Sequence, residues 1–305
     1  MTTDGSPSIA VVVCTRDRPQ LLAGLIPALV DAQHSGAEVV VVDSASVGPE
    51  TQALVSGAGL RVVRCAVPGA SHARNAGTAA TTSPVLVFTD DDCRPERDWY
   101  APLVRPFADD AVGFATGRVL PGTGAGRAMS PMTSDEPRVW SSSDDVADMG
   151  HGANMAIRRS ALESIAGFDE VLGAGAPLRA GEDKDMFWRL LRAGWQGRFV
   201  PESAVEHAAW RGHRESFGTG YGYGVGIGAR AAKVARLDGV RPSRPVVRAS
   251  LASLRQVGRA LRSGHRFGSA NLTVRAVGIV VGGLRARRYD LADGRFVARD
   301  ASAGR

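Results

Sequence analysis

Three consecutive carboxylates, Asp90-Asp91-Asp92, follow the apolar run Pro84-Val85-Leu86-Val87-Phe88-Thr89. Like charges at that spacing repel one another unless a cation compensates them, so the cluster calls for a metal ion or a basic partner. Along an extended chain, alternate side chains point to opposite faces, which sends Asp90 and Asp92 one way and Asp91 the other. Two carboxylates could then share one divalent ion that prefers hard oxygen ligands, with phosphate oxygens completing its shell. A solvated acidic loop is the plainer alternative, since acidic turns are common. A second cluster, Gly181-Glu182-Asp183-Lys184-Asp185, precedes the apolar run Met186-Phe187-Trp188-Arg189-Leu190-Leu191. Carboxylates there suit the cap and first turn of a helix, and equally a general base presented at a helix start. His207, just before Trp210 and Arg211, could lend a neutral imidazole nitrogen to a carboxylate-bound metal, with Mn or Mg as candidates, although a lone histidine is more often structural.

The elements that must position these residues alternate. Ser8 to Cys14 is a continuous β-branched run meeting Thr15-Arg16-Asp17-Arg18-Pro19, the pattern of a buried parallel strand running into a helix start. Asp17 is placed to cap that helix and Pro19 to sit in its first turn. Leu22, Leu25, Ile26, Leu29 and Val30 recur at helical spacing, predicting one amphipathic helix kinked at Pro27. Strands follow at Glu38 to Val42, closing on Asp43-Ser44-Ala45-Ser46, at Leu60 to Cys65, and at Pro84 to Phe88, with a short helix from His72 to Ala80. Such alternation predicts an α/β fold with a parallel, doubly wound sheet and ligands at the C-terminal ends of its strands. Thr15-Arg16, Asp43 to Ser46 and Asp90 to Asp92 fall at three of those ends. Residues 110 to 150 read as loops with an edge strand near Gly113 to Leu120. Regular structure resumes with a strand at Asn154 to Ile157, helices near Ser160 to Ala166 and Asp183 to Ala193, and a strand at Arg198 to Val200.

The 305 residues are 44% hydrophobic and 22% charged, which fits a globular chain able to bury a core. Thirty-seven glycines without a fixed period and only three cysteines exclude collagen-like and disulfide-scaffold classes. Cys14, Cys65 and Cys93 read as reduced thiols of a cytoplasmic protein. Residues 1–7 read as a frayed tail lacking the basic start and apolar stretch of a signal peptide. Ala276 to Leu284 is the longest apolar run, well short of the ~18–20 residues a bilayer requires. Charge is uneven: residues 229–305 carry seventeen cations against four acids, or +13, leaving −7 for residues 1–228. Local basicity of this kind suggests a docking element rather than nucleic-acid binding. Gly218 to Gly228 does not fit G-x-G-x-x-G, because Ile227 takes the third glycine's place counted from Gly222, and it reads as a flexible lid or hinge. Beyond it, Val247, Leu251, Leu254 and Leu261 form one helical stripe and Arg248, Arg255, Arg259 and Arg262 another. Such a basic amphipathic helix packs its apolar side on the preceding domain or lies on an anionic membrane.

Taken in order, several of these pieces resemble the inverting family 2 glycosyltransferases, which have the GT-A fold. The resemblance runs over about residues 8–225. It rests on Cys14-Thr15-Arg16-Asp17-Arg18, Val42-Asp43-Ser44-Ala45-Ser46, Ala73-Arg74-Asn75-Ala76-Gly77, and Phe88-Thr89-Asp90-Asp91-Asp92 as the family's DXD motif. It continues through Gly167-Phe168-Asp169, Gly181-Glu182-Asp183 with Asp185-Met186-Phe187-Trp188-Arg189, and His207. It implies a GT-A domain over 8–217, followed over 218–305 by the glycine-rich hinge and an arginine-rich helical extension. It implies that Thr15, Arg16 and Asp43 hold the nucleotide base, that Arg74 lies near the base or the phosphates, that Asp90 and Asp91 also contact the donor, and that Asp90, Asp92 and His207 bind a divalent metal. Asp183, with Glu182 beside it, would deprotonate the acceptor hydroxyl. The expected donor is a nucleotide-diphosphate sugar of UDP, dTDP or GDP type. The acceptor would be a hydroxyl in envelope glycan or specialised-metabolite synthesis, and a lipid-linked one would suit a basic tail at the inner face of the membrane. A non-catalytic sugar-nucleotide-binding or scaffold protein on the same fold is the alternative.

Overall fold

The β-branched runs near the start of the chain form the middle of a mixed sheet. The computed structural model describes residues 8–122, 131–146, 149–208, 210, 212–263 and 266–299; the tail expected over 1–7 and Arg211 lie outside the described residues. The chain separates into two compact units, one comprising residues up to 168 with 186–210, the other 169–185 with 211–305.

In the first unit, β1 (Ile9–Thr15) leads through α1 (Pro19–Ala23) and α2 (Ile26–His34) to β2 (Glu38–Ser44), α3 (Glu50–Gly57), β3 (Arg61–Cys65), α4 (Ala70–Ala79) and β4 (Val85–Asp90). The single kinked helix expected over Leu22 to Val30 is instead two helices. Gly24 ends α1, and Pro27 sits in the first turn of α2, where its missing N–H costs no hydrogen bond. Then come β5 (Cys93–Pro95), α5 (Tyr100–Val104), β6 (Val112–Pro121), β7 (Arg138–Trp140), β8 (Asn154–Arg158), α6 (Arg159–Ser164), α7 (Glu182–Arg192, whose first turn belongs to the second unit) and β9 (Gln196–His207). Strand order is β3-β2-β1-β4-β8-β6-β9-β5, with β7 paired to β9.

The parallel pattern holds for β3-β2-β1-β4, whereas β8 runs antiparallel to both β4 and β6. The strand expected at an edge near Gly113 to Leu120 is therefore an interior strand. β6 is hydrogen-bonded on both sides, to β8 and β9, and its residues 112–117 are all buried. Both faces of the sheet are covered. Val11, Val13, Val39 and Val41 pack on one side with Leu22, Leu25 and Leu29, while Ala10, Val12, Val40 and Val42 pack on the other with Ala73 and Phe168. Two-sided burial is why these strands read as unbroken apolar runs.

The second unit holds α8 (His213–Leu237), α9 (Ser243–Arg262), α10 (Arg266–Arg285) and a hairpin of β10 (Tyr289–Ala292) and β11 (Arg295–Ala298). The glycine run, expected as a flexible lid or hinge, is regular helix: residues 218–228 lie inside α8, as does the boundary expected at 217. The reason is packing. A Cβ on Gly224 or Gly228 would run into the backbone of α10 at Arg275 and Ile279, and a Cβ on Gly282 would run into Val225. Each helical glycine costs about 1 kcal/mol relative to alanine. Close backbone contact between the helices offsets that cost. By length and composition, residues 267–288 could also cross a membrane, which the count of unbroken apolar residues did not anticipate.

One buried cation organises this unit. Lys233 is fully buried, with Nζ 2.6 Å from both Asp169 Oδ2 and Asp185 Oδ1 and 4.7 Å from the centre of the Phe296 ring. The Phe296 N–H also donates to Asp169 Oδ2, at 2.8 Å. Removing one partner of such a group leaves buried charge uncompensated, at a cost of about 3–5 kcal/mol. Lys233→Met is expected to lower the unfolding free energy by about that much, as measured by denaturant titration.

Candidate active site

Strand register brings the polar ends together. Thr15 of β1 lies opposite Asp43 of β2, and Cys14 lies opposite Asp90 of β4. Beyond Asp90 the chain turns through Asp91 and Asp92 into β5, where Cys93 pairs with His207 at the end of β9. That antiparallel pairing carries the histidine to the acidic turn. His207 Nε2 lies 3.2 Å from Asp92 Oδ1, and the Ala208 N–H donates to the Asp92 carbonyl at 2.8 Å. One ligand atom from each of Asp90, Asp92 and His207 falls within 4.8 Å of the other two.

Asp91 lies in the turn after β4, not in the strand whose alternation was expected to direct it. It is fully buried, accepts the Thr15 hydroxyl at 2.7 Å and faces Arg18 Nη2 at 3.0 Å. Burial pushes its carboxyl up to about 7, against the opposing influence of Arg18. Asp92 divides its oxygens: Oδ1 faces His207, while Oδ2 accepts the Trp210 indole N–H at 2.8 Å and lies 3.6 Å from Arg18 Nη1. Arg18 also lies over the Trp210 ring, 5.7 Å from its centre. Asp90 is partly open and is held by Arg74 Nη2 at 3.2 Å. The Arg74 side chain is buried against Phe168, and Gly152 makes room for it, since a Cβ there would stand 2.6 Å from Arg74 Nη2. The guanidiniums of Arg18 and Arg74 stand against Asp90, Asp91 and Asp92, so the basic partners that three adjacent carboxylates call for are present.

Asp43 fastens the neighbouring loop. It accepts the Ser46 N–H at 2.9 Å and Arg64 Nη1 at 2.6 Å. Burial alone would raise its pKa, but the hydrogen bonds from Ser46 and Arg64 outweigh it and hold the carboxyl below the ordinary range. Asp17 does not cap α1, where Arg18 takes the cap position. Asp17 instead adopts a left-handed φ of +52° and accepts the Val47 N–H at 2.7 Å, joining the ends of β1 and β2. Arg16 is half-exposed and lies 3.5 Å from Asp17. Thus Thr15, Arg74, Asp90, Asp91, Asp92 and His207 form one cluster, with Asp43 beside it near the end of β2 and Arg16 in the loop that follows β1.

Glu182 and Asp183 belong to the second unit, in the first turn of α7, where the Lys184 N–H donates to Asp183 Oδ1 at 2.7 Å. Asp185, from the same acidic run, is the buried partner of Lys233. Sequence reasoning assigned no role to Arg18, Trp210 or Arg64. Arg18 lies within the first quoted motif and Trp210 three residues after His207, so a search for charge balance around Asp90 to Asp92 could have found them. The three cysteines are free, and burial raises the Cys14 thiol to about 12, so it is no nucleophile at neutral pH.

Residues 10–166, just over half of the chain, match the family model described as Glycosyl transferase family 2. The chain belongs to that family. Over 209 residues this family member is 27% identical to the pre-mycofactocin glycosyltransferases of two Mycobacterium tuberculosis strains, CDC 1551 / Oshkosh and H37Rv. The match covers 65% of this chain and 42% of theirs, so the chain spans less than half the length of the curated relatives it matches. Its fold is similar to that of a mannosyltransferase from Pyrobaculum calidifontis solved with GDP-Man and Mn2+, with TM-score 0.63, 19% identity, and coverage of 92% of this chain and 87% of the other. The family 2 glycosyltransferase therefore has the GT-A-like architecture that its motifs imply.

Proposed function

We propose that this glycosyltransferase moves a sugar from a nucleoside-diphosphate donor to a hydroxyl acceptor with inversion, and that Asp90, Asp92 and His207 hold a divalent ion during the transfer. The observation that carries this reading is the convergence of those three side chains within 4.8 Å. Carboxylate oxygens and an imidazole nitrogen suit Mn or Mg, and His207 Nδ1 is buried without a hydrogen-bond partner among the described residues. A divalent ion bound there would neutralise charge building on the departing diphosphate.

The remaining work falls to the protein's own groups. Thr15 and Arg18 orient Asp91, Arg74 orients Asp90, and Trp210 fixes one oxygen of Asp92, so the cluster is organised before the donor arrives. Asp183 is the base in this reading. It takes the acceptor hydroxyl proton as the acceptor oxygen bonds to the anomeric carbon, while the bond to the diphosphate breaks and its electron pair leaves on the phosphate oxygen. A single displacement of this kind inverts the anomeric centre.

GDP, UDP and dTDP are tested by thermal shift with Mn2+, with Mg2+ and with a chelator. One nucleotide at a hundred times its dissociation constant is expected to stabilise the chain by about 2.7 kcal/mol, and only with metal present. No shift with any of the three, or an equal shift in chelator, would overturn the reading.

A further inference from the structure

The side chains of α9 are arranged inside out. Its inward positions are small or polar: Val246 and Ser253 are buried, and the hydroxyls of Ser250 and Ser253 donate to the carbonyls of Ala276 and Leu272 in α10. Its larger apolar side chains, Val247, Leu251, Leu254 and Leu261, face outward. α10 shows the same feature with Val277, Val280 and Leu284, and all seven side chains are 45–59 % exposed. A helix folded only onto its own domain puts such residues inward. The leucine stripe is therefore not buried among the helices of its own unit.

The two stripes share one side of the helix pair. The contacts Val246–Gly283, Ser250–Ala276 and Ser253–Leu272 run in opposite directions along the two chains, so the helices are antiparallel. At 3.6 residues per turn, the apolar stripe on each helix lies about a quarter turn past the residues facing its neighbour, in the same sense of rotation. Reversing the direction of one helix points both quarter turns to the same side. Beside this face, on α9, run Arg244, Arg248, Arg255, Arg259 and Arg262, all exposed. From Gly239 to Tyr289 the chain has eleven arginines and not one carboxylate.

We propose that the outer face of α9 and α10 docks on an anionic lipid bilayer, with the valines and leucines in the acyl boundary and the arginines at the headgroup phosphates. An apolar stripe with a cationic flank and no acids is the chemistry of a helix pair lying in the interface plane, and long arginine stems reach from the apolar level to the phosphates. A nucleic acid offers phosphate without hydrocarbon. A second copy of the chain would set arginine flanks against each other. α10 could cross a bilayer by length and composition, but Gly278 and Gly282 lie against the backbone of α8, so one side is covered by protein, which favours lying on the surface.

The test is flotation of the full chain with phosphatidylcholine vesicles, with and without phosphatidylglycerol, at low and high salt. Binding is expected to be at least about tenfold tighter on the anionic vesicles and to be released by salt. The double variant Leu251→Asp/Leu254→Asp is expected to lose about a hundredfold. The set Arg248→Gln, Arg255→Gln, Arg259→Gln and Arg262→Gln is expected to lose the preference for phosphatidylglycerol. These positions are exposed, so unaltered melting confirms folding, and retained metal-dependent nucleotide shifts separate this proposal from the one about catalysis. It is overturned if the wild type fails to float with anionic vesicles, if only detergent releases it, if RNA binds it as tightly, or if the aspartate variant dissolves a dimer instead.

Discussion

Asp92→Ala is expected to abolish metal-dependent transfer, lowering the initial rate of donor consumption by about a thousandfold or more. Asp92 is tied to three neighbours, with His207 and the Trp210 indole on separate oxygens and Arg18 close by. Truncation leaves the indole N–H without its acceptor, so a loss of about 1–3 kcal/mol in stability should accompany the loss of rate. Asp92→Asn separates the two effects. It keeps an oxygen for Trp210 and restores stability, but removes the charge that a cation requires and leaves the rate low. An enzyme that still turned over normally with alanine at this position would need another site for its metal or no metal at all.

Asp183→Asn is expected to lower turnover by about a hundredfold to ten-thousandfold, the range over which a positioned general base contributes. Metal-dependent stabilisation by the donor nucleotide should be unchanged, because the substitution removes a proton acceptor and leaves Asp90, Asp92 and His207 themselves unaltered. Asp185, two residues on, gives the contrast. It pairs with Lys233 in a fully buried group, so Asp185→Asn should lower stability in denaturant titration. Equal turnover in wild type and Asp183→Asn, measured with saturating donor and acceptor, would remove Asp183 from the mechanism.

Local signals in the chain carried much of the fold. Two-sided burial made β1, β2 and β4 legible as unbroken apolar runs, and the acidic turn after β4 lies where the alternation of strands and helices placed it. Features set by distant contacts were not legible. Gly218 to Gly228 lacks helical propensity and reads as a hinge, yet tight packing on α10 makes it helical. β6 has the glycine and threonine content of an edge strand, but lies between β8 and β9 because both partners reach it from far along the chain. Lys233 gave no local sign of its role, since its carboxylate partners are 64 and 48 residues away. Both stripes of α9 were visible in the spacing; which of its faces turns inward depends on α10. In the candidate site, residue types pointed to Asp90, Asp92 and His207, which the structure brings together, whereas Arg18 and Trp210 emerge only once β5 pairs with β9 and the partners of the acidic turn are traced.

Anomalous diffraction from crystals grown with Mn2+ and the stabilising nucleoside diphosphate tests the central claim most directly. A manganese peak within ligand distance of the Asp90 and Asp92 carboxylates and the His207 imidazole, shared with the diphosphate oxygens, is the predicted result. Manganese bound elsewhere, with the nucleotide seated away from the end of β4, would contradict it.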